Sequence, residues 1–239
     1  MTETMQHWLD KRAELSPRDI AIEVPEGLSI TFKQLKNQAQ SFARKLSSVG
    51  IQMGNHVAIY ANNSIEMVIA IHAVSYIGAV SVLLNTRLSK REIAYQLRDA
   101  NVSLLLTANE LYQQGIEAAQ TTSVRVTSFN RVNEQRELDI PLQQEHRLDN
   151  LCSIIYTSGT TGFPKGVQHT YGNHWWSAIS SMLNLGLDRN DKWLATLPLF
   201  HIGGLSILMK SLIYGMPIYL LKKFDDNIVH DGIMNKQVS

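Results

Sequence analysis

The chain has 239 residues, 44% of them hydrophobic and 18% charged, and its 22 Lys and Arg against 21 Asp and Glu leave a net charge of +1. That composition buries a substantial core as one large domain or two small ones, and it lacks the basic excess that a nucleic acid partner requires. The first twelve residues carry an acid at position 3 and no apolar segment, so no secretory signal or membrane partner is expected and a cytoplasmic location is.

From residue 20 onward, short β-type runs alternate with helical patterns. Thr31 and Gln34 form a capping box, and the helix it opens carries Phe32, Leu35, Ala39, Phe42, Ala43 and Leu46 before stopping at Gly50. Residues 56–61 read as a strand. Ser64 can cap a helix bearing Met67, Val68, Ile71 and Val74, Gly78 ends it, and residues 79–84 form the next buried strand. The window 67–84 is the most apolar in the chain, yet His72, Ser75, Gly78 and Ser81 interrupt it, so it reads as helix, turn and strand and not as a membrane span. Ser89 and Glu92 form a second capping box ahead of Ile93, Leu97 and a strand over 102–106.

Residues 130–150, polar and charge-rich around Pro141, read as a surface connection joining sub-regions of about 1–129 and 151–239. Then come a strand over 151–156, a helix from about 170 to 185, a strand over 193–197, a helical stretch over 205–214 and a strand over 217–221. Alternation of this kind predicts an α/β fold of parallel sheets flanked by helices. The single cysteine, Cys152, cannot form an internal disulfide, which agrees with a reducing compartment. Its apolar strand marks it as a packing residue and not a nucleophile.

The run Thr157-Ser158-Gly159-Thr160-Thr161-Gly162-Phe163-Pro164-Lys165-Gly166 follows the 151–156 strand directly. Its glycines permit positive φ and close backbone approach, its hydroxyls add donors, and Lys165 brings a positive charge: the parts of a phosphate cradle. It is not a Walker A sequence, because Pro164 occupies the place of that pattern's second glycine. A flexible polar surface loop is the plainer alternative, but the strand before it and the helix-like stretch after it favour the cradle. Open α/β sheets bind ligands outside the C-terminal ends of their strands, where this loop is expected. Leu197-Pro198-Leu199-Phe200-His201-Ile202-Gly203-Gly204 ends another predicted strand and is a second candidate wall, with a titratable His201 and with Gly203 and Gly204 to let backbone come close. Trp175 and Trp176 read as core more readily than as a pocket floor, and His169 and His174, five apart, would not share a helix face for a metal.

These two loops resemble those of the adenylate-forming superfamily of acyl-CoA synthetases, peptide-synthetase adenylation domains and luciferases. Residues 157–166 are similar to its phosphate-binding signature and residues 198–204 to its downstream motif. Val167-Gln168-His169-Thr170-Tyr171-Gly172-Asn173-His174-Trp175-Trp176-Ser177-Ala178, the stretch 197–216 and Val82 to Ser89 resemble, more narrowly, the 2-succinylbenzoate–CoA ligases of menaquinone biosynthesis. The resemblance runs over nearly the whole chain. It implies ATP-dependent conversion of a small-molecule carboxylate to an acyl-adenylate and then to a coenzyme A thioester, with 2-succinylbenzoate as the acid, another aryl or medium-chain acid being the alternative. Thr157, Ser158, Gly159, Thr160, Thr161, Gly162 and Lys165 would hold the ATP phosphates. His201 would be catalytic, at the boundary with an acyl pocket that includes Gly203 and Gly204. Mg²⁺ would arrive with ATP, with no metal ligands of the chain's own.

Members of that superfamily are longer than this chain. The resemblance places their adenine-, ribose- and Mg²⁺-contacting motifs, and a small C-terminal domain with a catalytic lysine, beyond Ser239, where residues 236–239 read as the start of a further strand. The chain is therefore expected to be the N-terminal part of a ligase, inactive alone, or else a non-catalytic remnant or a nucleotide- or partner-binding subunit. An open sheet edge there would favour self-association or a complementing C-terminal chain.

Overall fold

The computed structural model describes residues 3–158, 162–188 and 190–238. Its elements are, in chain order, β1 (Thr4–Gln6), α1 (Trp8–Leu15), β2 (Ile20–Glu23), β3 (Ser29–Thr31), α2 (Phe32–Ser48), β4 (His56–Tyr60), α3 (Ile65–Ile77), β5 (Val80–Leu83), α4 (Lys90–Asp99), β6 (Leu104–Thr107), α5 (Tyr112–Ala119), β7 (Arg125–Ser128) and α6 (Phe129–Asn133). The order continues with β8 (Glu145–Arg147), β9 (Leu151–Thr157), β10 (Lys165–Thr170), α7 (Tyr171–Leu185), β11 (Trp193–Ala195), α8 (Ile202–Tyr214), β12 (Ile218–Leu220) and α9 (Asp226–Asn235).

Local chemistry explains the helix starts. Both expected capping boxes form, at Thr31 with Gln34 and at Ser89 with Glu92, and the Ser64 side chain accepts from the Met67 amide to start α3. Gly78 ends α3 at φ 75°, a left-handed conformation that a side chain would strain. The apolar residues expected on α2 are all buried, and the window 67–84 folds as helix, turn and strand.

Among the described residues three sheets form. The largest runs β10-β9-β5-β4-β6-β7, the second β11-β12-β2-β3, and β1 pairs with β8 in a two-stranded ribbon. The α/β class holds, but the sheets are mixed: β9–β10 and β2–β3 are antiparallel hairpins attached to otherwise parallel ladders. The expectation that helical pattern follows the glycine-rich loop directly is corrected here, because residues 165–170 are strand β10. Its six residues lie at the sheet edge and none is buried, so they show no apolar run from which a strand could be read. Residues 236–238 follow α9 without joining a sheet, against the expected further strand.

Both larger sheets draw strands from either side of residues 130–150. Within that stretch His146 on β8 is buried, stacked on Tyr171 and beside His7, so it takes part in the core. Every residue of β5 and β6 is buried, and their neighbours in the core come from α2, α3, α4 and α5.

Candidate active site

The crevice lies where β5 and β9 end. It encloses about 430 Å³ and is lined by Thr157, Ser158 and Pro164 on one side and by Phe200 and His201 on another, with Asn85 and Glu92 among the residues closing it. The two loops singled out in the sequence thus share one cavity, at the C-terminal edge of a parallel ladder.

Lys165 stands directly opposite Thr157 in the antiparallel β9–β10 ladder. Lys165 is exposed and, unlike Thr157 and Ser158, is not among the residues that line the crevice. Gly162 holds φ 92° in open space, a backbone state that accounts for glycine there by conformation alone. Gly159, Thr160 and Thr161 lie outside the described residues. From α4, the Tyr95 hydroxyl donates to the Pro164 carbonyl at 3.3 Å and its ring lies 5.5 Å from Phe163, while the Tyr156 hydroxyl donates to Asp99 at 2.6 Å. These braces escape sequence reading, because nothing in the 90–99 periodicity says which helix face meets β9.

His201 is exposed at the N-cap of α8, edge-on to Phe200 at 4.8 Å, and its side chain makes no capping bond. The ring is available to a ligand. Gly203 and Gly204 do not line this crevice. A Cβ on Gly204 would fall 2.3 Å from the Pro198 carbonyl oxygen, so its hydrogen lets the first turn of α8 lie against the backbone of its own loop.

Other expectations resolve around this frame. Cys152 is buried, and loss of hydration pushes its thiol up to about 12, which makes it inert. Trp175 packs on the core beside Trp8, whereas Trp176 is exposed, contrary to its reading as core, because α7 presents that side outward. His169 and His174 do approach, with ring centroids 5.9 Å apart, since His169 is on β10 and not on the helix. Among the described residues there is no group of three or more His, Cys, Asp or Glu that could hold a metal ion. The crevice carboxylate, Glu92, is committed to Ser89 in the α4 capping box.

Residues 9–239 match the model of the AMP-binding enzyme family, and the chain belongs to it. Its relatives include the 2-succinylbenzoate–CoA ligases of Oceanobacillus iheyensis, 48% identical over all of this chain and 49% of that protein, and of Bacillus mycoides, 47% identical over 99% of this chain and 47% of that protein. The chain spans about half the length of these curated relatives. Among solved structures, Bacillus subtilis O-succinylbenzoate coenzyme A synthetase (MenE) in complex with ATP and magnesium ion superposes with a TM-score of 0.92 at 37% identity, covering 99% of this chain and 63% of that one. A Mycobacterium tuberculosis fatty acyl CoA synthetase superposes at 0.82 with 27% identity, covering 97% and 47%. Among the described residues no helix is long and apolar enough to cross a membrane.

Proposed function

We propose that this chain supplies the phosphate-binding hairpin and the acyl-side histidine of an ATP-dependent acid–thiol ligase acting on 2-succinylbenzoate. The observation that carries the reading is the single cavity shared by Thr157, Ser158 and His201. The acid's carboxylate oxygen attacks the α-phosphorus of ATP, pyrophosphate leaves, and the thiolate of coenzyme A then displaces AMP from the acyl-adenylate. The departing pyrophosphate gathers negative charge, which donors fixed in a loop, together with Lys165, stabilise without reorganising. Thr157, Ser158, Gly159, Thr160, Thr161, Gly162 and Lys165 form this cradle. His201 orients the carboxylate beside it, and Gly203 and Gly204 keep the His201 turn tight. Mg²⁺ enters on the ATP phosphates. A cytoplasmic setting suits the free thiol of Cys152.

ATP–pyrophosphate exchange driven by 2-succinylbenzoate tests the proposal, measured on the 239-residue chain and on the chain extended with the remaining residues of the Oceanobacillus relative. The extended protein is expected to exchange and the chain alone is not. Equal exchange with benzoate or hexanoate would remove the acid assignment, and no exchange by either protein would remove ATP activation. A nucleotide- or partner-binding chain without turnover would instead show ATP binding and no exchange in both.

A further inference from the structure

Asn63 lies just beyond β4, is 4% exposed, and precedes the Ser64 cap of α3. Its amide is spent on backbone brought from far along the chain. Nδ2 donates to the Leu197 carbonyl at 3.0 Å and to the Leu221 carbonyl at 3.0 Å, and Oδ1 accepts from the Leu199 amide at 2.8 Å. Residues 197–199 run past the end of β11, and Pro198 has no N–H to offer, so the Asn63 amide takes the place a neighbouring strand would fill. Leu199 is fully buried, which denies water access to its N–H if that partner is lost. The His201 amide in turn donates to the Pro198 carbonyl at 3.0 Å, in the middle of the clamped segment.

We propose that Asn63 is a positioning residue: by clamping residues 197–199 it fixes His201 against the Thr157 and Ser158 side of the crevice. The proposal rests on the ligase reading of that crevice. The preceding residue serves the opposite wall, since Asn62 Oδ1 accepts from the Thr86 hydroxyl at 2.9 Å, next to the crevice residue Asn85. The end of β4, a central strand of the large sheet, thereby reaches both walls through adjacent asparagines.

Amide hydrogen exchange and His201 ring NMR on the 239-residue chain test this. In the wild type the Leu199 amide should be protected; in Asn63→Ala it should exchange roughly tenfold faster or more, with the β4 amides unchanged. Asn63→Asp keeps the acceptor for Leu199 but turns a carboxylate toward two carbonyls, and should fall between. Titration with 2-succinylbenzoate, followed at the His201 ring, should weaken roughly tenfold in Asn63→Ala, while the Thr157 and Ser158 amide shifts on adding ATP and Mg²⁺ persist. An unprotected Leu199 amide in the wild type, or equal exchange in wild type and variant, overturns the clamp. Faster exchange with unchanged acid affinity leaves Asn63 structural only and overturns its positioning role. If Asn63→Ala does not fold, the wild-type protection and Asn63→Asp still decide. A wild-type His201 that ignores the acid, with Leu199 exchange still responding to the variants, counts against the ligase reading and not against the clamp.

Discussion

The two larger sheets differ in how they hold themselves together. In the six-stranded sheet β5 and β6 are buried along their whole length, and capped helices pack on them. The four-stranded sheet pairs strands of three or four residues from distant parts of the chain, and its edge strand β11 is only partly buried. Both sheets feed one apolar core, and the second adds polar ties such as Asn63. The crevice takes Thr157 and Ser158 from the end of the first and His201 from the turn that follows β11 of the second.

The largest expected effect tests the buried frame. Burial holds His72 at about 4, His146 at about 3 and His174 at about 4, against an ordinary value of 6.5. As pH falls below 6.5 the unfolded chain takes up protons that the folded chain refuses, so stability is lost from about pH 6.5 down to about 4 for His72 and His174 and about 3 for His146, at roughly 1 kcal/mol per pH unit for each histidine. Urea midpoints should drop steeply over that window, and His72→Gln should flatten the drop. A pH-independent midpoint would contradict the buried, neutral state.

Next comes a contrast between two fully buried isoleucines. Ile59→Ala in β4 should cost about 2–5 kcal/mol in chemical denaturation and speed exchange everywhere. Ile218→Ala in β12 should speed exchange chiefly in the four-stranded sheet, and uniform loosening would show that the sheets unfold as one. Lys165→Ala should weaken ATP binding roughly tenfold by calorimetry and leave the melting temperature in place. Gly162→Ala should cost about 1 kcal/mol, because alanine at φ 92° is strained while nothing crowds its methyl. Smallest is Val167→Lys on the exposed β10 edge: stability in chemical denaturation should stay within about 0.5 kcal/mol.

What the sequence revealed followed the range of the interactions. The starts of α2, α3 and α4 were legible because a cap and its partner lie three residues apart, and β9 because its buried stretch is mostly apolar. β10 was hidden by its exposure, and β1 and β8 by their length of three residues each. In the candidate site, the two loops that meet at the crevice, ending in Ser158 and carrying His201, were legible as local motifs. Asn63 and Tyr95 were not, since their bonds cross 136 and 69 residues and exist only once the strand order is set.

Cys152 gives this fold a clock. With its thiol buried in β9 and pushed up to about 12, almost no thiolate is presented to solvent while the sheet is closed. A thiol reagent therefore labels the chain only when β9 opens. Since β9 lies between β5 and β10 and carries Thr157 at its end, the labelling rate times how often the floor beneath the crevice comes apart.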